Sequence, residues 1–138
     1  MDNGYNWKKL HWRTLETAYR TSPFFEYYED DLKEIFVGEE SSLFEFNLRT
    51  ITIVGQCLGI EISKERTENY KIHPADLLDA RFLAGAKRER PTKMAPYPQV
   101  FGDRHGHLHN LSVLDLLFNQ GSRALDYLKG QNLDFLDD

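Results

Sequence analysis

The residues best equipped for chemistry fall in one run, Tyr97 to Gly121, YPQVFGDRHGHLHNLSVLDLLFNQG, where a proline-bounded extended piece and a His-bearing polar loop lead into an apolar helix. Polar groups gathered at a helix N-terminus meet unpaired backbone N–H groups and the positive end of the helix dipole, a setting in which an anion binds. His105, His107 and His109 alternate in RHGHLH, and an extended backbone would put all three imidazoles on one side. Neutral imidazole is a common ligand for zinc, copper, iron and nickel. Gly106 leaves that backbone undetermined, and Asp103 is the one carboxylate beside the trio, so the plainer reading is exposed loop histidines and no metal set is expected. Asn110, Ser112 and Asp115 have a simpler account still. Asn110 or Ser112 caps the helix, and Asp115 in the first turn complements the dipole. A nucleophilic Ser112 would need a positioned base and an oxyanion hole, neither of which spacing supplies.

A second group of capable side chains lies near the N-terminus. His11 sits beside an apolar stripe, four residues after Trp7, and is a candidate general base. Arg13 and Glu16, three apart, are close enough to pair on a helix surface. A basic loop holds Lys87, Arg88, Arg90 and Lys93, where arginine offers bidentate geometry to a phosphate and a solvated loop is the equal alternative. Cys57 is the sole cysteine, which excludes an internal disulfide, and its apolar neighbours mark it as a small buried hydrophobe.

These residues need helices to position them. Trp7 to Arg20 carries Trp7, Leu10, Leu15, Ala18 and Tyr19 in a broad stripe, with Trp12 to one side and Asn6 as N-cap. Thr21-Ser22-Pro23 ends that helix, and Ser22 is placed to cap the next, from about Phe24 to Phe36, whose inner face reads Phe24, Tyr27, Tyr28, Leu32 and Phe36. Gly38 closes it. Ser42 with Glu45 is a capping-box signature for a third helix, Leu43 to Leu58, with Phe44, Leu48, Ile51, Val54, Gly55 and Leu58 on one face and Gly59 past its end. The β-branched cluster Thr50 to Val54 favours a strand, but length and caps decide for helix. Ile60 to Ile72 reads as a short strand or a loop, Ala75 to Ala86 as a short helix, and residues 87–96 as a mobile basic loop. Helices from about Leu111 to Asn119 and from Arg123 to Lys129, ended by Gly130, complete the chain.

The expectation is therefore a mainly α, compact single domain over residues 1–138, with five to six helices, irregular loops and room for one short strand pair. At 138 residues and 41% hydrophobic content the chain can bury one core. A net charge of −5 argues against general binding to nucleic acid or to an anionic membrane surface. No run has the apolar length of a membrane span and the N-terminus has no signal-peptide pattern, so a cytoplasmic setting is expected.

Several of these pieces together resemble the WbqC-like protein family. They are Asn6-Trp7-Lys8 with His11-Trp12-Arg13 and Thr14 to Tyr19, then Ser22-Pro23-Phe24-Phe25, Leu58-Gly59-Ile60, Tyr97 to Phe101, and Asn110 to Asn119 before Gly121. The likeness is weakest from Lys64 to Ala95. The family is associated with gene clusters for surface polysaccharide and O-antigen synthesis, which implies a step on a nucleotide-linked amino sugar, with attachment of an aminoacyl group as the reaction. An enzyme of that kind would bring His11 and His105 as catalytic groups, and Arg13, Tyr19, Tyr97, Gln99, Asn110 and Ser112 as substrate-binding groups, into one concave site between the first helix and the hinge. It names no cofactor. Members usually begin with a further section rich in Pro, Tyr and Phe, so the chain is expected to be a shortened form whose exposed apolar surface a homodimer would cover. The alternative is a noncatalytic helical module, in which the same polar residues are spent on backbone.

Overall fold

In the computed structural model, which describes residues 5–39, 42–63, 65–72, 78–84 and 94–133, the asparagine before the first apolar stripe starts a helix as the sequence predicts. Asn6 Oδ1 accepts the Lys9 N–H at 3.1 Å, and α1 runs Trp7–Tyr19. Its inner face keeps Leu15 and Tyr19 of the predicted stripe but is centred on Trp12 and leaves Leu10 out. Trp12 is buried, Leu15 and Tyr19 pack beside it, and Leu10 leaves half its surface in solvent. Trp12, Leu15 and Tyr19 follow one another at i, i+3 and i+7, whereas Leu10 falls on the opposite side of the helix.

The link to α2, Phe25–Val37, also differs from expectation at one residue. Ser22 does not cap α2; its hydroxyl donates to the Tyr19 carbonyl at 2.5 Å and so ties off the end of α1. Phe24 takes the N-cap position without a side-chain bond, and its own N–H donates to the Phe118 carbonyl at 3.0 Å. The buried face is Phe25, Tyr28, Leu32 and Ile35. Tyr27, predicted inside, is 76% exposed, because Tyr28 starts the i, i+4, i+7 series and Tyr27 falls one step outside it.

The third helix, α3, spans Leu43–Leu58, with Ser42 Oγ accepting the Glu45 N–H at 3.2 Å and Gly59 in the left-handed conformation at φ 73°. The strand-favouring threonines are accommodated by back-bonding: Thr50 donates to the Phe46 carbonyl at 2.9 Å and Thr52 to that of Leu48 at 2.8 Å. Phe46, Ile53, Val54, Cys57 and Leu58 face the core, while Phe44 and Ile51, both predicted inside, are half exposed. The chain that follows α3 closes on Gly55, whose carbonyl accepts the Ile60 N–H at 2.8 Å and where a Cβ would meet Ile62 Cγ1 at 2.5 Å.

The remaining elements are short. Within the predicted Ala75–Ala86 helix the described residues form only the 3₁₀ turn Arg81–Ala84; residues 75–77, 85–86 and the basic stretch 87–93 lie outside the described residues. Then come α4 (Gly102–His105), α5 (Val113–Gln120), a 3₁₀ turn at Gly121–Arg123 and α6 (Ala124–Lys129), with Gly130 at its end. No strand occurs among the described residues. The chain is mainly helical, with one core, as the sequence predicts.

That core is centred on α5. Residues 115 to 119 are buried in succession, so the helix is enclosed on all sides rather than along a stripe. Phe118 meets Tyr19 of α1 at 4.9 Å between ring centroids and Phe25 of α2 at 5.0 Å. Phe25, Phe118, Leu32 and Leu117 are fully buried, each contributing about 1.5–3 kcal/mol by removal from water. Gly121 permits this centring, because its Cα passes so near Phe24 that a Cβ would lie 2.6 Å from the ring.

Candidate functional site

Tyr97 leaves the proline-flanked segment and turns its ring into the space beside α5, edge-on to Tyr127 at 5.2 Å and to His107 at 5.6 Å. Its hydroxyl donates to Asp115 Oδ1 at 2.7 Å. Asp115 is 2% exposed, in the first turn of α5, three residues after the cap Ser112. A carboxylate there benefits from the dipole, and its burial requires hydrogen-bonding partners. Tyr97 is one, and Tyr19 lies near enough to feel the same carboxylate: its phenol is pushed up to about 12, by burial first and then by Asp115. Tyr97 is raised further, by burial first, then by its hydrogen bond to Asp115 and the charges of Asp115 and Tyr127, with Gln99 opposing. Two neutral phenols therefore flank one buried carboxylate, and Tyr97 donates to it. Asn119, one turn on, donates from Nδ2 to the Asp115 carbonyl at 2.8 Å and fixes the helix at this point.

The other hinge residues are used by the loop itself. Gln99 donates from Nε2 to the Leu108 carbonyl at 2.8 Å and accepts the Leu108 N–H at 2.9 Å, a two-point clamp that closes residues 99–108. Ser112 caps α5 by accepting the Leu114 N–H at 3.3 Å. Asn110 adopts φ 54°, which asparagine tolerates better than most residues. It is exposed.

The histidines divide. His105 ends α4 and is exposed, and Gly106 at φ 68° breaks the predicted alternation, so the three imidazoles do not line one extended edge. His107 and His109 do meet, their rings perpendicular at 4.8 Å. Both nitrogens of His107 are shielded from solvent and find no hydrogen-bond partner among the described residues. No group of three His, Cys, Asp or Glu side chains placed to hold a metal ion occurs among the described residues.

On α1, His11 is exposed with its ring against Trp7 at 5.4 Å, and Arg13 is exposed. The predicted Arg13–Glu16 pair is replaced: Glu16 bonds Arg20 at 3.1 Å, and Arg20 also bridges to Glu29 of α2 at 2.6 Å. A groove of about 510 Å³ opens between α2 and α3 over Leu48, Ile53 and Ile62, and none of the predicted site residues lines it. Among the described residues no helix is long and apolar enough to cross a membrane.

Of the predicted set, then, Tyr19 and Tyr97 come together, and they do so on a residue that sequence reasoning assigned to the helix dipole alone. The signal for Asp115 was its place in VLDLLF, one charge within an apolar run, since a carboxylate there must be paired if the run is buried.

Comparison with known proteins bears on the whole chain. Uncharacterized protein Rv1507c from Mycobacterium tuberculosis is 26% identical to it over 158 aligned positions, covering 92% of this chain and 66% of its own length. The chain thus spans just under two thirds of that relative. No solved structure matches. The profile of the WbqC-like protein family matches residues 1–95, running through the Lys64–Ala95 stretch where the motifs are thinnest and ending just before Tyr97. With α1, α2 and α3 all inside the matched region, this chain belongs to the WbqC-like protein family.

Proposed function

We propose that this chain acts in surface-polysaccharide or O-antigen biosynthesis on a nucleotide-linked amino sugar, with aminoacyl transfer as the reaction. Family membership supports the setting. The observation that supports the reading is the Tyr97–Asp115 hydrogen bond, with Tyr19 of α1 close enough to feel the same carboxylate. In this reading the phenols and Gln99, Asn110 and Ser112 border the sugar, Arg13 takes phosphate, and His105 or His11 removes the amine proton as nitrogen attacks the acyl carbon and the acyl carrier departs. Thermal unfolding with a panel of nucleotide amino sugars, on this chain and on a form extended at the N-terminus, tests it. A rise in Tm that Tyr97→Phe reduces is the expected result; no rise in either form would sink the reading.

A noncatalytic helical module is the second reading. It is favoured by the polar atoms of Gln99 and Ser112 being engaged on the Leu108 and Leu114 backbone. It predicts no nucleotide-sugar response and unchanged folding in His105→Ala.

A homodimer and a cytoplasmic setting belong to the same proposal. Leu43, Phe44 and Ile51 expose 60%, 53% and 50% of their surface on α3, an apolar area that a second copy would cover. Sedimentation equilibrium checks it: Phe44→Glu with Ile51→Glu should leave a monomer, and a wild-type chain already monomeric at high concentration removes the idea.

A further inference from the structure

We propose that His107 and His109 form a two-imidazole site for a divalent first-row transition metal, the borderline ions Cu²⁺, Ni²⁺ and Zn²⁺ being its class. The first observation is that both ring nitrogens of His107 are shielded from solvent with no hydrogen-bond partner among the described residues. A neutral imidazole has one donor and one acceptor to satisfy, and a native fold seldom leaves either unmet; an ion on one nitrogen accounts for that one. The second is the neighbour. His109 lies at a ring-centroid distance of 4.8 Å with the planes at 88°. With metal–nitrogen bonds of about 2.0–2.1 Å and a ring centroid about 1.1 Å behind each nitrogen, two imidazoles on one ion stand about 4.5 Å apart at a right angle and about 5.2 Å apart at the tetrahedral angle. The observed spacing falls between these limits.

The surroundings select the ion. Tyr97 holds the His107 ring edge-on and commits its own hydroxyl to Asp115, so it restrains the site without joining it. His109 is exposed and can turn to admit an ion, while His107 stays packed. Two neutral nitrogen donors and no carboxylate suit Cu²⁺, Ni²⁺ or Zn²⁺ and disfavour Mg²⁺ or Ca²⁺. The remaining coordination positions go to solvent or to an arriving ligand. Bound there, the ion would fasten the Gln99–Leu108 loop at the residue after its clamp, against the Tyr97 ring.

Calorimetric titration of the full chain with Cu²⁺, Ni²⁺ and Zn²⁺ in turn, in a non-chelating buffer near neutrality, tests the site. One equivalent of Cu²⁺ or Ni²⁺ should bind, about tenfold or more weaker in His107→Ala and in His109→Ala, unchanged in His105→Ala, and about tenfold or more weaker in a peptide of residues 102–110. Absence of binding, equal loss in His105→Ala, or equal affinity in the free peptide each overturns the proposal. Because His107→Ala also removes a packed ring, the unaltered chain gives an independent readout. Substoichiometric Cu²⁺ should broaden the imidazole resonances of His107 and His109 before those of His11, His73 and His105; broadening that begins at any of those three counts against the site.

Discussion

The Tyr97 hydroxyl and the Asp115 carboxylate, 18 residues apart, are joined at 2.7 Å in the interior. This bond fastens the irregular hinge to the helix at the centre of the core. Tyr97→Phe leaves a buried carboxylate short of a donor, and a hydrogen bond to a charged group is worth about 1.5–3 kcal/mol, so the variant should lose that much in urea denaturation. Asp115→Ala removes the acceptor of the Tyr97 phenol and the charge beside Tyr19, and should lose more. In the double variant the losses should fall short of additive, which a double-mutant cycle measures directly.

Gly121 should tolerate no side chain. At φ 56° and ψ −129° it occupies a conformation open to glycine, and an added Cβ would lie 2.6 Å from Phe24. Backbone strain and overpacking each cost about 1–3 kcal/mol, so Gly121→Ala is expected to destabilise by about 2–6 kcal/mol. Adding Phe24→Leu should recover the steric part and leave the backbone part, which equilibrium unfolding of the three proteins separates.

Phe118 is the side chain on which three helices depend. Fully buried, it touches Tyr19 and Phe25 with its ring and accepts the Phe24 N–H through its carbonyl. Phe118→Ala should cost about 3–5 kcal/mol by denaturant unfolding. Phe44→Ala, on the half-exposed side of α3, should cost far less, and comparable losses would mean that the exposed side is packed in solution.

The sequence made the helices legible where local chemistry alone decides them. Asn6, Ser42 and Gly59 act through bonds within a few residues, and the start of α1 and both bounds of α3 followed from them. Which face turns inward depends on neighbours distant in the chain, and there the reading failed for Leu10, Tyr27, Phe44 and Ile51. Aromatic and aliphatic side chains flank both sides of these helices, so periodicity did not choose between Tyr27 and Phe25. Asp115 was missed for a related reason. A first-turn aspartate is ordinarily explained by the dipole, and the two phenols that make it more than that lie 18 and 96 positions away.

Alkaline titration should report on the same carboxylate. Tyr19 is raised from 10.0 to about 12, and Tyr97 is raised too, with burial the leading cause in both. A tyrosine whose folded value exceeds its unfolded value binds its proton more tightly in the native state. Its stabilising contribution is complete below pH 10, the unfolded value, and is lost as pH rises through the folded value. The chain should therefore lose stability above pH 10, most steeply between pH 10 and 12, with the two phenolates emerging in ultraviolet difference absorbance as the fold opens. Asp115→Asn removes the carboxylate charge but not the burial. In that variant both phenols should ionise at lower pH than in the wild type, yet still above 10. If both instead ionised near 10 in the wild type, the Tyr19–Asp115–Tyr97 cluster would not be closed in solution, and the site proposed on it would fail with it.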